Sequence, residues 1–313
     1  MDKIICKECS KEFDSDAGLH RHLRVHELSI EAYYHKYFPK LDLYDKSLIK
    51  FKNKDQYFET DFNSRINLKN WIKESDKEEV KAYIKKLLEK RKVKKNLIYS
   101  PSQVELRSLV TPPIRIYNQF FGDYYELCAS IGFKNRFSKS QPEIKLNAEC
   151  LNDCFIYIDS REQKPLKFNI KSEVTCLKFG DYTLSNKDFT GNCYIERKSV
   201  NDLIGTLSGG YERFLRELDK AKSAGAYLII LVEESFSNCM SFNYLPHVFQ
   251  KGTKITPEFV FHNVRDIIQN YENLQFLFVD GRKEASRVVE KIFSCGDAYK
   301  KVDLQFAYDE KLI

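Results

Sequence analysis

Phe155-Ile156-Tyr157-Ile158 reads as a buried strand that ends at Asp159, and Val174 to Phe179 as a second that ends at Gly180-Asp181-Tyr182. Tyr194-Ile195 leads into Glu196-Arg197-Lys198, and a helix follows from Val200. Carboxylates crowded at strand ends repel one another unless a cation neutralises them, and hard cations prefer carboxylate oxygens. Asp159, Asp181 and Glu196 are therefore candidate ligands for Mg²⁺ or Mn²⁺. Lys198 stands two residues beyond Glu196, on the same face of a strand. A lysine there can orient or help deprotonate an attacking water, and it can stabilise charge that builds on a phosphate. In outline, Asp…Glu-x-Lys is a site for phosphodiester hydrolysis.

A second constellation lies at the other end of the chain, where residues 6 to 26 read Cys6-x2-Cys9-x12-His22-x3-His26. Two thiolates on a tight knuckle and two imidazoles four apart on a helix suit one tetrahedral Zn²⁺. Phe13 and Leu19 are the candidate core of so small a module, and His20, outside the spacing, is a spare polar residue. The segment resembles the two-Cys, two-His zinc finger family. If Asp16 opens the helix, that resemblance turns Ser15, Gly18 and Arg21 toward DNA bases. Gly18 has no side chain to read with, so Arg21 is the one strong donor. A single such module implies an auxiliary clamp or a protein contact.

The elements that must position these groups are legible in the periodicity. From residue 155 strands alternate with amphipathic helices, including a helix at 211–224 and a strongly apolar strand at 227–232. The expected fold class is α/β: a mixed sheet flanked by helices, preceded by small helical modules. Ser29 is a plausible N-cap for a short helix that stops before Pro39, and the aromatics between 29 and 71 read as the core of a small domain rather than a base-stacking surface. Ser75-x-x-Glu78 reads as a capping box opening a helix with Val80, Ile84, Leu87 and Leu88 on one face. The basic end of that helix, Lys85 to Lys95, fits either a solvated helix terminus or a phosphate-tracking stripe.

Residues 99–135 read as three short helices, with Thr111-Pro112-Pro113 starting one and Gly132 closing the last. The Pro101-Ser102 opening, the Phe121-Gly122 pair and the final Ile131-Gly132 resemble the repeat found beside the catalytic parts of homing endonucleases. That resemblance implies a helix-turn-helix whose Arg115, Tyr117 and Asn118 enter a DNA groove.

The acidic pattern has a decoy, because Gly122-Asp123-Tyr124 followed by Glu143-Ile144-Lys145 repeats the same letters without an apolar strand to hold Glu143. The later copy carries more. Asp159-Ser160-Arg161-Glu162, Gly180-Asp181-Tyr182, Glu196-Arg197-Lys198-Ser199, Asp202-Leu203 and Arg213-Phe214 stand in order. Over about residues 153–295 this resembles the XPF-type structure-specific endonuclease family. The resemblance implies a restriction-endonuclease-like fold and metal-dependent cleavage of flapped or forked DNA. It further implies that Asp181 and Glu196 hold the metal, with Asp159 as a ligand or acting through water, and that Lys198 places the attacking water. Arg197 would pair with carboxylates or the scissile phosphate, and Asp202 would hold the basic cluster. Arg161, Glu162 and Arg213 would support the site or touch the DNA backbone. Family members commonly add paired helix-hairpin-helix motifs after the nuclease, whereas this sequence ends at Ile313, so the upstream modules are expected to grip the substrate. A homodimer is left open.

Composition bounds these readings. The 313 residues carry 51 Lys+Arg against 45 Asp+Glu, a formal charge of +6, which excludes a uniformly polycationic DNA coat. Hydrophobic residues at 42% and aromatics at 14% exceed what a disordered polar chain carries. No apolar run is long enough to span a bilayer, and the N-terminus is charged where a signal peptide is apolar, so an intracellular protein without membrane contact is expected. Seven of nine cysteines are scattered, as befits reduced thiols. The expected segments are a zinc finger at 1–28, an aromatic and basic region at 29–98, the three-helix unit at 99–137, a linker at 138–152 and the nuclease at 153–313. Homing-type and nuclease parts in one chain suggest a phage or mobile-element setting inside a host cell. The rival expectation is a non-catalytic DNA-binding regulator or junction-binding scaffold.

Overall fold

The computed structural model describes residues 3–51, 57, 60–138, 154–185, 190–249 and 254–313. They form two compact units, one of Met1–Arg91 with Leu109–Pro112 and one of Lys92–Ser108 with Pro113–Ile313. All but Ser138 of the expected linker, and the decoy's Glu143 and Lys145, lie outside the described residues.

The first unit opens with an antiparallel hairpin, β1 (Ile4–Ile5) and β2 (Glu12–Phe13), followed by α1 (Asp16–His22) and a 3₁₀ turn over Leu23–His26. The Ser15 hydroxyl accepts from the Gly18 amide and caps α1, so Asp16 does open the helix. Ser29 likewise caps α2 (Ile30–Tyr37). Apolar side chains of the hairpin module and of α2 share one core: Cys6, Leu19, Leu23, Tyr33, Tyr34 and Phe51 are buried together. The Lys7 amide in the Cys knuckle donates to the Tyr33 hydroxyl at 2.8 Å, and Lys36 pairs with Glu8 at 2.7 Å. The aromatics thus serve as core, as expected, and Phe62 and Trp71 of α3 (Arg65–Glu74) are buried as well. The next helix, α4 (Lys77–Lys95), buries Val80, Ile84, Leu87 and Leu88 as its periodicity demands. Its start differs from the capping-box expectation. Ser75 terminates α3, and the carboxylate of Asp76 accepts from the amides of Glu78 and Glu79. One charged carboxylate oxygen one residue closer to the helix takes both amides and outcompetes a hydroxyl for them.

The second unit is built on a six-stranded mixed sheet in the order β4 (Ser172–Thr175), β3 (Phe155–Asp159), β5 (Tyr182–Ser185), β6 (Thr190–Lys198), β7 (Tyr227–Val232) and β8 (Leu274–Phe278). β3 and β6 lie antiparallel to β5, while β6, β7 and β8 run parallel. Every residue of β7 is buried. Leu228, Ile230 and Val232 pack on α8 (Val200–Thr206), α9 (Tyr211–Ser223) and α12 (Pro257–Asn270). Ile229 and Leu231 face the opposite layer, which includes α13 (Arg282–Ser294). A strand covered on both faces has no reason to alternate, hence its unbroken apolar run. The α/β mixed sheet flanked by helices is as expected. Two short helices, α10 (Phe236–Cys239) and α11 (Pro246–Phe249), follow β7, and α14 (Leu304–Asp309) follows α13.

The three short helices appear where the sequence placed them: α5 (Gln103–Arg107), α6 (Ile114–Phe121) and α7 (Tyr124–Ser130). They belong to the same compact unit as the sheet. Val104 is part of the core formed with β7, β8 and α12. The Gln103 amide donates to Asp303 at 2.7 Å, and Gln269 of α12 donates to Glu105 at 2.9 Å. The Arg136 guanidinium donates to the carbonyls of Ile268, Tyr271 and Leu274, filling acceptors left open where α12 ends. No helix among the described residues is long and apolar enough to cross a membrane, and no disulfide joins the described cysteines.

Candidate active site

The C-terminal end of β6 delivers Glu196, Arg197 and Lys198 in successive positions beside Ile230, Leu231 and Val232 of β7. Gly180 brings Asp181 to the same place. Its φ of +57° is open to glycine alone without strain, and a Cβ there would sit 2.9 Å from the Ile195 carbonyl. With that contact allowed, the Asp181 amide donates to Ile195 at 2.8 Å, and its carboxylate accepts from the Arg197 amide at 2.7 Å. Asp181, Glu196 and Lys198 line one cleft of about 620 Å³, with Arg161, Asp202 and Arg213 on its walls.

The cleft is under electrostatic tension. Burial, and then the charge of Glu196, push the Asp181 carboxyl up to about 7, against the opposing pull of the Arg197 amide. Lys198 is nearly buried and meets Glu196 at 3.0 Å, with its ammonium 5.6 Å from the centroid of the Phe214 ring. One lysine therefore stands against two carboxylates. Asp181 and Glu196 each use one oxygen in these contacts and keep the other unengaged among the described residues. Two hard oxygen donors with excess negative charge suit a divalent cation.

Arg197, which also lines the cleft, is an ion-pair hub. Its guanidinium donates to both oxygens of Glu162 at 2.8 to 3.0 Å and to Glu233 at 2.8 Å. Of the two roles the resemblance implied, the observed contacts are those with carboxylates. Glu233, which follows the apolar strand β7, went unnoticed in the sequence; its only signal was an acid directly after a fully apolar run.

Asp159 does not join the cleft. Its carboxylate is buried and accepts from the Arg161 amide at 2.8 Å, the Arg161 guanidinium at 2.6 and 3.1 Å and the Leu177 amide at 2.8 Å. Burial alone would raise this carboxyl, but those donors hold it below the ordinary value. Its oxygens close the turn after β3, away from the residues that line the cleft, where it was expected as a ligand or through water. Asp202 lies on the cleft wall. Its carboxylate accepts from the Ser199 hydroxyl at 2.6 Å while the Ser199 hydroxyl caps its amide, so it secures the start of α8. Arg213 is exposed and within 3.7 Å of Glu217; Arg161 is exposed as well.

In the helical module Arg115 is exposed, whereas Tyr117 and Asn118 are buried. Tyr117 packs against Tyr124 with ring centroids 5.2 Å apart, and the Asn118 side-chain oxygen accepts from the Tyr124 amide at 2.9 Å. The expectation that both enter a DNA groove is therefore corrected: α6 turns that face toward α7.

In the first unit Cys6, Cys9, His22 and His26 converge, their ligand atoms all within 4.8 Å of one another. Among the described residues this is the one group of three or more such side chains that does so. Cys9 and His22 lie 3.1 Å apart, His22 and His26 3.0 Å, and Cys6 and His26 3.7 Å. Tetrahedral N/S coordination of zinc sets edges of about 3.3–3.8 Å, and the four donors gather on that scale. Desolvation, and then the charges of His26 and Lys11, hold the His22 imidazole below its ordinary value, which favours the neutral, ligating form. His20 instead lies 3.2 Å from the Tyr34 hydroxyl. Arg21 is exposed.

Residues 158–292 match the family model of the ERCC4 domain, within the span over which the sequence resembled XPF-type nucleases. Among solved structures, XPF from Aeropyrum pernix is similar at 15% identity over 47% of this chain and 68% of that chain, with a TM-score of 0.33. XPF from Aeropyrum pernix in complex with DNA is similar at 18% identity over 45% of this chain and 64% of that chain, also at 0.33. A search of curated proteins returned no match. The stretch that carries both the acidic cleft and its ion-pair hub, residues 158–292, is an ERCC4 domain.

Proposed function

We propose that this protein is a divalent-metal-dependent DNA endonuclease that hydrolyses phosphodiester bonds at flapped or forked structures, with its upstream modules holding the substrate. The observation that carries the reading is the convergence of Asp181, Glu196 and Lys198 in one cleft inside an ERCC4 domain. Asp181 and Glu196 would hold Mg²⁺ or Mn²⁺, which when bound supplies Lewis-acid polarisation of the phosphate and a more acidic water. Lys198, fixed by Glu196 and the Phe214 ring, directs its ammonium at the attacking water or at charge developing on the phosphate. The Arg197 amide fixes one oxygen of Asp181 so that the other faces the cleft. Arg161 and Arg213 on the walls and Arg115 on α6 would contact the DNA backbone, where cationic side chains position without reading sequence. Cys6, Cys9, His22 and His26 would hold a structural Zn²⁺, leaving Arg21 exposed for a nucleic-acid contact.

The test is cleavage of a labelled DNA fork and its RNA counterpart by purified protein with Mg²⁺ or Mn²⁺. Asp181→Ala and Lys198→Ala should each lower the DNA rate at least ~10²–10³-fold, the usual scale for removing an electrostatic stabiliser. Activity that survives both substitutions, or tight fork binding with no metal-dependent cleavage by the wild type, rejects the reading. The latter result would favour a junction-binding scaffold.

A further inference from the structure

We propose that Arg282 is a positioning residue that latches one wall of the cleft, setting the geometry of a site it does not touch. The catalytic part of this inference rests on the nuclease reading; the latch itself does not. The segment from Arg161 to Lys164 forms that wall. One attachment is inside the hub, where the Glu162 carboxylate is gripped by Arg197. Arg161 is tied to Asp159 at the near end of the segment, and at its far end stands Arg282, whose guanidinium donates to the Pro165 carbonyl at 2.7 Å and to the Lys164 carbonyl. The same guanidinium reaches one oxygen of Glu233 at 3.2 Å, and the second oxygen of Glu233 accepts from Arg197 at 2.8 Å. Two arginines and two glutamates thus form a charge-balanced chain from the start of α13 to the metal-ligating end of β6. Arg282 is not among the residues that line the cleft.

The physical consequence concerns what is left when this side chain goes. Glu233 is 12% exposed and would keep a single cationic partner, while two wall carbonyls would lose their donor. The planar fork of arginine serves the carboxylate and both carbonyls at once; a lysine, as a point donor, can serve part of that set. Arg282 itself is placed by Gly281, whose φ of +87° turns the chain from β8 into α13. Because the Arg197 amide also anchors Asp181, loosening Glu233 and the wall reaches the proposed ligands through Arg197.

Arg282→Ala and Arg282→Lys distinguish this role from general scaffolding. In protein free of metal and DNA, hydrogen exchange of a peptide spanning residues 160–166 should accelerate at least ~10-fold in Arg282→Ala, with exchange in β7 unchanged. On a DNA fork, kcat should fall ~10–100-fold, as a small misplacement of reacting groups does, with KM changed less than ~3-fold. Arg282→Lys should recover part of both effects, and it serves as the readout if the alanine variant fails to fold. Unaltered exchange at 160–166 overturns the latch. Accelerated exchange with unaltered kcat overturns the positioning role. Should wild-type protein not cut DNA at all, the nuclease reading fails, while the exchange comparison still decides whether Arg282 holds the wall.

Discussion

A carboxyl held up to about 7 has a thermodynamic signature of its own, and Asp181 is such a group. In the unfolded chain an aspartate loses its proton near pH 4, whereas folded Asp181 keeps it until about 7. Between those values the folded state binds more protons, so this group's contribution to stability falls as pH rises through the window and then levels off. Asp181→Asn removes the penalty while leaving an oxygen to accept from the Arg197 amide. In metal-free protein it should melt higher than wild type at about pH 8, by ~2–4 °C for each kcal/mol relieved, with the difference shrinking toward about pH 4. Thermal melts of both proteins across that range check it; a gain that does not vary with pH rejects Asp181 as the source. At this scale the text gave Glu196 and Lys198 because a two-residue spacing on one strand determines face, whereas the strand expected to end at Asp181 stops at Thr175 and Asp181 instead stands directly before β5. It could not give the direction in which Asp159 turns, since that depends on the amide of Leu177, eighteen residues away.

The elements that bear the four Cys and His donors in the first unit are too small to bury their own apolar side chains. β1, β2 and α1 share their core with α2, and Tyr33 is anchored to the Cys knuckle. Folding of such a module is linked to its ion. Chelation of zinc should therefore disorder the segment from the hairpin through α2, seen as loss of dispersed Tyr33 and Tyr34 resonances, while β7 and β8 of the second unit keep their exchange protection. Retention of the Tyr33 environment after complete metal removal, verified by elemental analysis, would show that the four donors are incidental to the fold. The spacing of Cys6, Cys9, His22 and His26 made this site legible, since the ligands lie close in sequence. The fusion to α2 was not, because aromatics dense in a segment look the same whether they pack within it or against a neighbour.

Across the whole molecule, the three-helix unit was foreseen as a separate module and is built into the compact unit that holds the sheet. Helix starts are local, so Thr111-Pro112-Pro113 announced that of α6. Docking rests on partners far along the chain, such as Gln103 with Asp303 and Arg136 with the end of α12, and no short-range pattern encodes those. The burial of Asn118 also divides the expected DNA contacts. Arg115→Ala should weaken fork binding ~2–10-fold with a reduced salt slope and an unchanged melting temperature. Asn118→Ala should instead cost about 1–3 kcal/mol of stability by stranding the Tyr124 amide. Binding isotherms at two salt concentrations and denaturant melts separate the two, and an Asn118→Ala protein of full stability with lost DNA affinity would contradict the burial. Arg136 capping the end of α12 has one more consequence. A grip borne on a tether lets an enzyme cut over a spread of distances, whereas α5, α6 and α7, seated on the sheet's own helices, keep a constant offset from the acidic cleft. If they hold duplex, the incision should fall a fixed number of nucleotides from the junction whatever the sequence.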